Sequence, residues 1–214
     1  MDKLIIIGAG GYAKSVLDSL ETYQYDVIGF IDDLKPVGTQ HLGYPILANS
    51  IGDVAAGETF SYFIAIGHNV KRKAYYDELK ARNFTLINVI DRHAIVSRHA
   101  KIGSGCFIGK LAVVNSGAVI GNDCVINTRS TIEHGCSIHD HVNVSTNATL
   151  NGDVVCEEGC FVGSHAVISG QLTIGAWALV GSGTVVIRDV RPDSTVVGTP
   201  AHEIISDSLK YNRL

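Results

Sequence analysis

A small α/β domain followed by a parallel β-helix is the fold class this sequence predicts. Residues 1–85 alternate apolar, strand-like runs with amphipathic, helix-like runs, as a small parallel sheet with flanking helices requires. Residues 90–189 repeat an aliphatic side chain at every sixth position, the period of a solenoid of short strands. The 23 glycines in 214 residues, with few aromatics, fit a narrow aliphatic core with many turns.

In chain order, 3–7 is a buried strand and 11–23 a helix with Ala13, Val16, Leu17 and Leu20 on one side. A second strand over 26–31 ends at Asp32-Asp33, and a third over 62–66 ends at Gly67. Asn69 is expected to cap a helix running to about residue 82. The domains expected are 1–85, the β-helix over 86–198, and a tail over 199–214.

The repeat is read by stepping six residues from Ile90 to Val186. Ile, Val or Leu fills 16 of those 17 positions, Cys156 being the exception. Four residues further along each repeat, a small side chain recurs, and Cys106, Cys124, Cys136 and Cys160 fall in that slot. All five cysteines are therefore expected as buried structural thiols. The residue after the aliphatic is often Gly or Asn, which tolerates turn backbones of positive φ.

A net charge of −4 argues against nucleic-acid binding. No window reaches the ~20 apolar residues of a membrane span, so no membrane insertion is expected. An odd cysteine count without a Cys-x-x-Cys pair points to a reducing cytoplasm.

Gly8-Ala9-Gly10-Gly11-Tyr12-Ala13 follows a strand and opens a helix, with Asp32 about 20 residues on. That is the layout of a dinucleotide loop, whose helix N-terminus offers bare amides to a phosphate. Some 85 residues are too few for two mononucleotide halves, so the loop reads as a half-site for one nucleotide or diphosphate. A tight turn without a ligand is the alternative. Lys71-Arg72-Lys73 sits in the first turn of the second helix, where cations are unfavourable unless an anion is present. A solvated basic turn explains them equally well.

With these motifs in view, the whole chain resembles the sialic-acid O-acetyltransferase family of bacterial sugar acetyltransferases. It is most similar to members that N-acetylate nucleotide-linked 4-amino-4,6-dideoxy sugars. The resemblance rests on the 8–14 loop, Phe30-Ile31-Asp32-Asp33, and Ala65-Ile66-Gly67-x-Asn69-x-x-Arg72. It extends to Ile126-Asn127-Thr128, Ile132-Glu133-His134, and the tail Val197-Gly198-Thr199-Pro200-Ala201. It implies a left-handed β-helix of three hexapeptides per coil. It further implies acetyl-CoA as co-substrate, a nucleotide-linked sugar as acceptor, no metal, and a homotrimer with active sites between subunits.

Residue by residue, the resemblance places the catalytic histidine at His134 and the amide facing the thioester oxygen at Gly152. Nucleotide-sugar contacts fall on Gly10, Gly11, Tyr12, Asp32, Asp33, Gly67 and Arg72, and coenzyme contacts on Asn143, Gly152, Ser164 and Ser182. The sequence departs from the family twice. Gly135 replaces an acid after the catalytic histidine, and Asn143 replaces a histidine of the coenzyme site.

Register supports His134 independently. Gly152 follows it by 18 residues, one full coil, and neighbouring strands lie ~4.8 Å apart, so a base and a bare amide share one neighbourhood. Thr128, Thr146, Ser164 and Ser182 form a second column at the same period, which suits a pantetheine groove or a plain solvent-facing ladder. His99, His134 and His139 invite a metal reading. Two coils are 36 residues, however, and His99 is 35 residues before His134, so the three are out of column and no metal is expected. The expected activity is acetyl-CoA-dependent N-acetylation of a nucleotide-linked amino sugar. O-acetylation of a sugar hydroxyl, such as that of sialic acid, is the alternative.

Overall fold

The computed structural model describes residues 1–20, 24–54 and 59–204. The first domain contains β1 (Asp2–Ile7), α1 (Gly11–Ser19), β2 (Tyr25–Ile31), β3 (Gln40–His41), β4 (Tyr44–Ala48), β5 (Ser61–Ile64), α2 (Asn69–Ala81) and β6 (Thr85–Leu86). Its strands lie in the order β3-β4-β2-β1-β5-β6, with β1 parallel to both β2 and β5. Leu4, Ile5, Ile6 and Ile7 are all buried, which is why β1 shows a continuous apolar run and no alternation. Because β2 and β5 flank β1 on opposite sides, a crevice opens where their carboxyl ends diverge.

Three local expectations need correction. The helix expected over 11–23 stops at Ser19, since Leu20 is already extended; residues 21–23 lie outside the described residues. The cap of α2 is His68, whose Nδ1 accepts from the Lys71 N–H at 3.3 Å, while Asn69 is the first helical residue and faces the β-helix. The β3–β4 hairpin gave no strand signal, because Pro45 and the positive-φ Leu42 and Gly43 interrupt its short apolar run.

The β-helix is a prism with three walls. The first wall begins at Val89–Ile90 and recurs at 18-residue steps to Leu179–Val180, then Thr195–Val197. The second runs from Ile95–Val96 to Val185–Val186, and the third from Lys101–Ile102 to Thr173–Ile174. The second residue of each two-residue strand points inward. From Ile108 to Val186 all of these are buried, with the small-slot side chains between them. The five cysteines are buried and free. Thiols donate to carbonyls of the coil above, as Cys106 Sγ does to Gly121 O at 3.0 Å.

Corners join the walls and share one backbone device. From Gly105 to Gly183 every sixth residue has positive φ, including Asp123, His141 and Asp153. The slot is thus two residues later than expected, and Asp, Asn, His and Gly tolerate it best. The glycines directly after the aliphatic serve close approach instead. A Cβ on Gly163 would lie 2.6 Å from the Ser182 nitrogen of the next coil.

The α/β domain packs across the first wall. Val89, Phe107 and Val125 join Leu4, Ile6, Val16 and Phe30 in one buried cluster, and the Tyr12 ring meets Phe107 edge-on at 5.4 Å. At the far end His202–Glu203 folds back antiparallel on Thr195–Val197; residues 205–214 of the expected tail lie outside the described residues.

Candidate functional site

Two regions hold the sequence-derived candidates, and they lie on different sides of the prism. The first is the crevice at the carboxyl ends of β1, β2 and β5, a cleft of about 670 Å³. It is lined by Gly10, Gly11, Tyr12, Asp32, Asp33 and Gly67, together with His68, Lys71 and Tyr75. Gly8 makes the turn possible: its φ is +96°, and a Cβ there would lie 2.9 Å from the Ala65 carbonyl oxygen. Nothing stands within 4 Å of where a Cβ would be on Gly10, Gly11 or Gly67, so these positions open to the cleft. Helix α1 starts with neither a side-chain cap nor an acidic residue in its first turn, leaving its N-terminal amides to an anion.

The two aspartates are held differently. Asp32 Oδ2 accepts from the Ala9 N–H at 2.7 Å, and Oδ1 accepts from the N–H groups of Leu34 and Lys35 at 3.0 and 3.1 Å. Its carboxylate therefore ties the glycine loop to the β2 end. Asp33 is half exposed and pairs with Lys71 Nζ at 2.7 Å. The sequence marked Lys71 only as part of a basic run. It is the side chain of that run that reaches the cleft.

Arg72 does not line the cleft, contrary to expectation. It is 1 % exposed and pairs with the fully buried Asp123 at 3.1 Å, within the junction of the two domains. The same aspartate holds His141 Nδ1 at 2.8 Å.

The second region is the corner after the second wall. His134 is exposed there, and its ring packs against Gly152 of the next coil. A Cβ on Gly152 would fall 2.5 Å from His134 Cε1 and 2.7 Å from Nε2, so only glycine permits this stacking. The Gly152 N–H donates to no backbone acceptor among the described residues. Glu133 accepts from Asn115 Nδ2 at 3.0 Å, and Asp140 Oδ1 from the Asn122 N–H at 2.6 Å, so neither acid is turned to the imidazole. The His134 ring has no hydrogen-bond partner among the described residues.

The coenzyme candidates do not meet within one chain. Asn143 is on the first wall, Ser164 and Ser182 are on the corner after it, and Gly152 is on the next corner. Asn143 is 7 % exposed, and its Oδ1 is buried without a partner among the described residues. His99 accepts from Arg98 Nε at 3.0 Å, and no metal-holding group of His, Cys, Asp or Glu occurs among the described residues. No helix among them is long and apolar enough to cross a membrane.

Comparison with known proteins places this architecture. Residues 3–79 match the PglD N-terminal domain, and residues 99–133 and 117–152 match the bacterial transferase hexapeptide of six repeats. The chain is similar to the PerB protein of Caulobacter crescentus, solved with CoA and GDP-perosamine, at 29 % identity and a TM-score of 0.89, covering 96 % of this chain and 98 % of that one. Further structures of the Caulobacter perosamine N-acetyltransferase carry one histidine replaced by asparagine or alanine. The acetyltransferase domain of PglB from Neisseria gonorrhoeae, solved with acetyl coenzyme A, matches at 31 % identity and a TM-score of 0.88, covering 94 % and 98 %. WeeI from Acinetobacter baumannii matches at 28 % identity and 0.85, covering 95 % and 100 %.

Fold and cleft together define a hexapeptide-repeat transferase with an appended α/β domain. The chain belongs to the hexapeptide-repeat sugar acetyltransferases.

Proposed function

We propose that the protein transfers acetyl from acetyl-CoA to the 4-amino group of a nucleotide-linked amino-deoxy sugar, with His134 as general base. The observation that carries this reading is the stacking of the His134 ring on the bare α-carbon of Gly152, next to an N–H without a backbone acceptor. Attack on a thioester requires a neutral amine, a group to take its proton, and a donor for the developing oxyanion. His134 takes the proton, and the Gly152 N–H faces the thioester oxygen. The cleft holds the nucleotide: the α1 amides and Lys71 take the diphosphate, Asp33 accepts from the base or ribose, and Asp32 keeps the glycine loop in shape.

The geometry favours a site shared with a second chain. The α/β domain covers the first wall, whereas His134 sits on the corner opposite that wall, and no β-helix residue lines the cleft. A closed cyclic assembly solves this by bringing the cleft of one subunit to the corner of the next. The outward side chains of the second wall, among them Ile95, Val113, Thr131 and Val167, form an uncharged stripe fit to be covered. The assembly proposed is a homotrimer. In it the Asn143 wall with the Ser164 and Ser182 ladder of one subunit and the Gly152 corner of another border a common coenzyme groove.

The test is a panel of UDP-, GDP-, dTDP- and CMP-linked 4-amino sugars, with free sialic acid as the hydroxyl acceptor, each given acetyl-CoA while thiol release is followed. Release with one nucleotide-linked amino sugar and an N-acetylated product is expected. Release with sialic acid alone would replace this reading with O-acetylation. Sedimentation of active enzyme as a single 22.8 kDa chain would exclude the shared site.

A further inference from the structure

The guanidinium of Arg72 links the wall of the cleft to the β-helix. Its Nη1 donates to Asn69 Oδ1 at 3.0 Å and reaches the carbonyls of Ile66 and Gly67 at 3.4 Å; both residues line the cleft. Its Nε donates to Asp123 Oδ2 at 3.1 Å, and Nη2 donates to the His141 carbonyl at 2.8 Å. Asn69 Nδ2 continues the line to the Gly159 carbonyl at 3.0 Å. Asp123, His141 and Gly159 stand on the same corner of three successive coils, 18 residues apart. One buried fork thus gathers the loop after β5, the first turn of α2 and the corner after the third wall.

Stability alone is a poor reason for such a junction. Desolvation offsets most of the attraction in a buried ion pair, and apolar residues of similar volume often hold a protein together as well. Here the balance is worse, because Asp123 Oδ1 and the Tyr12 hydroxyl are buried without partners among the described residues. What a planar guanidinium supplies, and an apolar contact does not, is a fixed direction for each hydrogen bond.

Resting on the reading above, we infer that Arg72 and Asp123 are positioning residues for acetyl transfer. They fix the Ile66-Gly67 wall in register with the prism, and so set where the amine of a bound sugar stands relative to His134 of the partner subunit. Cleft and base are each carried by a β-helix, so an error at the junction becomes an error in the attack distance. A misplacement of ~1 Å costs ~10²-fold in rate.

The experiment compares Arg72→Lys, Asp123→Asn, their double variant and the milder Asn69→Ser in the full-length assembly. It measures sedimentation, melting temperature, nucleotide-sugar Kd, acetyl-CoA KM and kcat, using whichever nucleotide-linked 4-amino sugar the wild type turns over. The expected result is a kcat about 10²-fold lower for Arg72→Lys and about 10-fold lower for Asn69→Ser. Nucleotide-sugar Kd and acetyl-CoA KM stay within about threefold, and the double variant is no worse than the poorer single one. Unchanged kcat in folded, assembled variants would overturn this inference while leaving the proposed function standing. So would a loss seen only as weaker nucleotide binding. If Arg72→Lys fails to assemble, Asn69→Ser decides by the same split. A wild type that transfers acetyl to no amino sugar would overturn the proposed function, and this inference with it.

Discussion

Two corners of one prism each carry a histidine, seven residues apart, in opposite surroundings. His141 is 3 % exposed, its Nδ1 fixed by Asp123 and its ring edge-on to Tyr76 at 5.2 Å. His134 is exposed and rests on a bare glycine. The hexapeptide rule places both on turns. What separates them is what covers each corner: the α/β domain of the same chain seals the third, while the second is left exposed. A repeat therefore fixes where a side chain points around the prism, and the packing partner fixes whether it is structural or free to exchange protons.

The largest effect should come from testing this contrast directly. General-base catalysis is typically worth ~10²–10⁴-fold, so His134→Ala should lower kcat by about that much and leave acetyl-CoA affinity within a few-fold. His141→Asn should instead lower the melting temperature, because it weakens the support of a buried carboxylate, and should leave kcat within a few-fold. If a folded His141→Asn variant lost that much kcat while His134→Ala kept it, the two corners would have to exchange roles.

Gly152→Ala sharpens the comparison from the other side of the stack. The new methyl would occupy the place of the His134 ring, which is exposed and free to swing outward. The fold should survive, with kcat reduced about 10²-fold by displacement of the base. Wild-type turnover in this variant would show that the stacked position of the ring is not the reactive one.

The cleft should respond differently from either corner. Asp33→Ala removes an acceptor at the mouth of the cleft and frees Lys71, so the nucleotide-sugar KM should rise about 10-fold or more with kcat held within a few-fold. Asp32→Ala should raise KM further, because three backbone N–H groups lose their acceptor and the glycine loop loosens. A fall in kcat without a change in KM would move either residue into the chemistry.

How much of this was legible in the sequence depends on whether the cause is local. The walls were, because an aliphatic every sixth residue is a rule that each repeat obeys alone. The stacking of residue 134 on residue 152 follows from the same period. The positive-φ slot was misplaced by two positions, since Gly recurs in both slots for different reasons, close approach in one and backbone twist in the other. Arg72 was misread because a cation in a first helical turn says nothing about which way its side chain turns; the neighbouring coils decide that. Asn143, Ser164 and Ser182 share the period of the repeat yet stand on a wall and a corner away from Gly152 within the chain. Order along the chain carries no record of whether another copy brings them together.

The smallest effect expected is at Cys156, the one aliphatic slot without an aliphatic. The thiol is buried, and its pKa is raised by a hydrogen bond with Cys160, by burial, and by the nearby charge of Cys160. Cys136 is pushed up to about 11, chiefly by burial. Below such values the neutral thiol dominates, and the neutral thiol is neither a nucleophile nor a metal ligand. Acyl transfer through a cysteine would need the opposite environment, an exposed thiol beside a cation. Cys156→Val adds little volume to a slot that holds Ile in the coils on either side, so it should change stability by no more than ~1 kcal/mol and leave kcat within about twofold. Native protein should likewise react slowly with thiol reagents at neutral pH and react fully once unfolded. Loss of turnover in a folded, coenzyme-binding Cys156→Val variant would show that the interior of the prism, and not its corners, carries the acyl group.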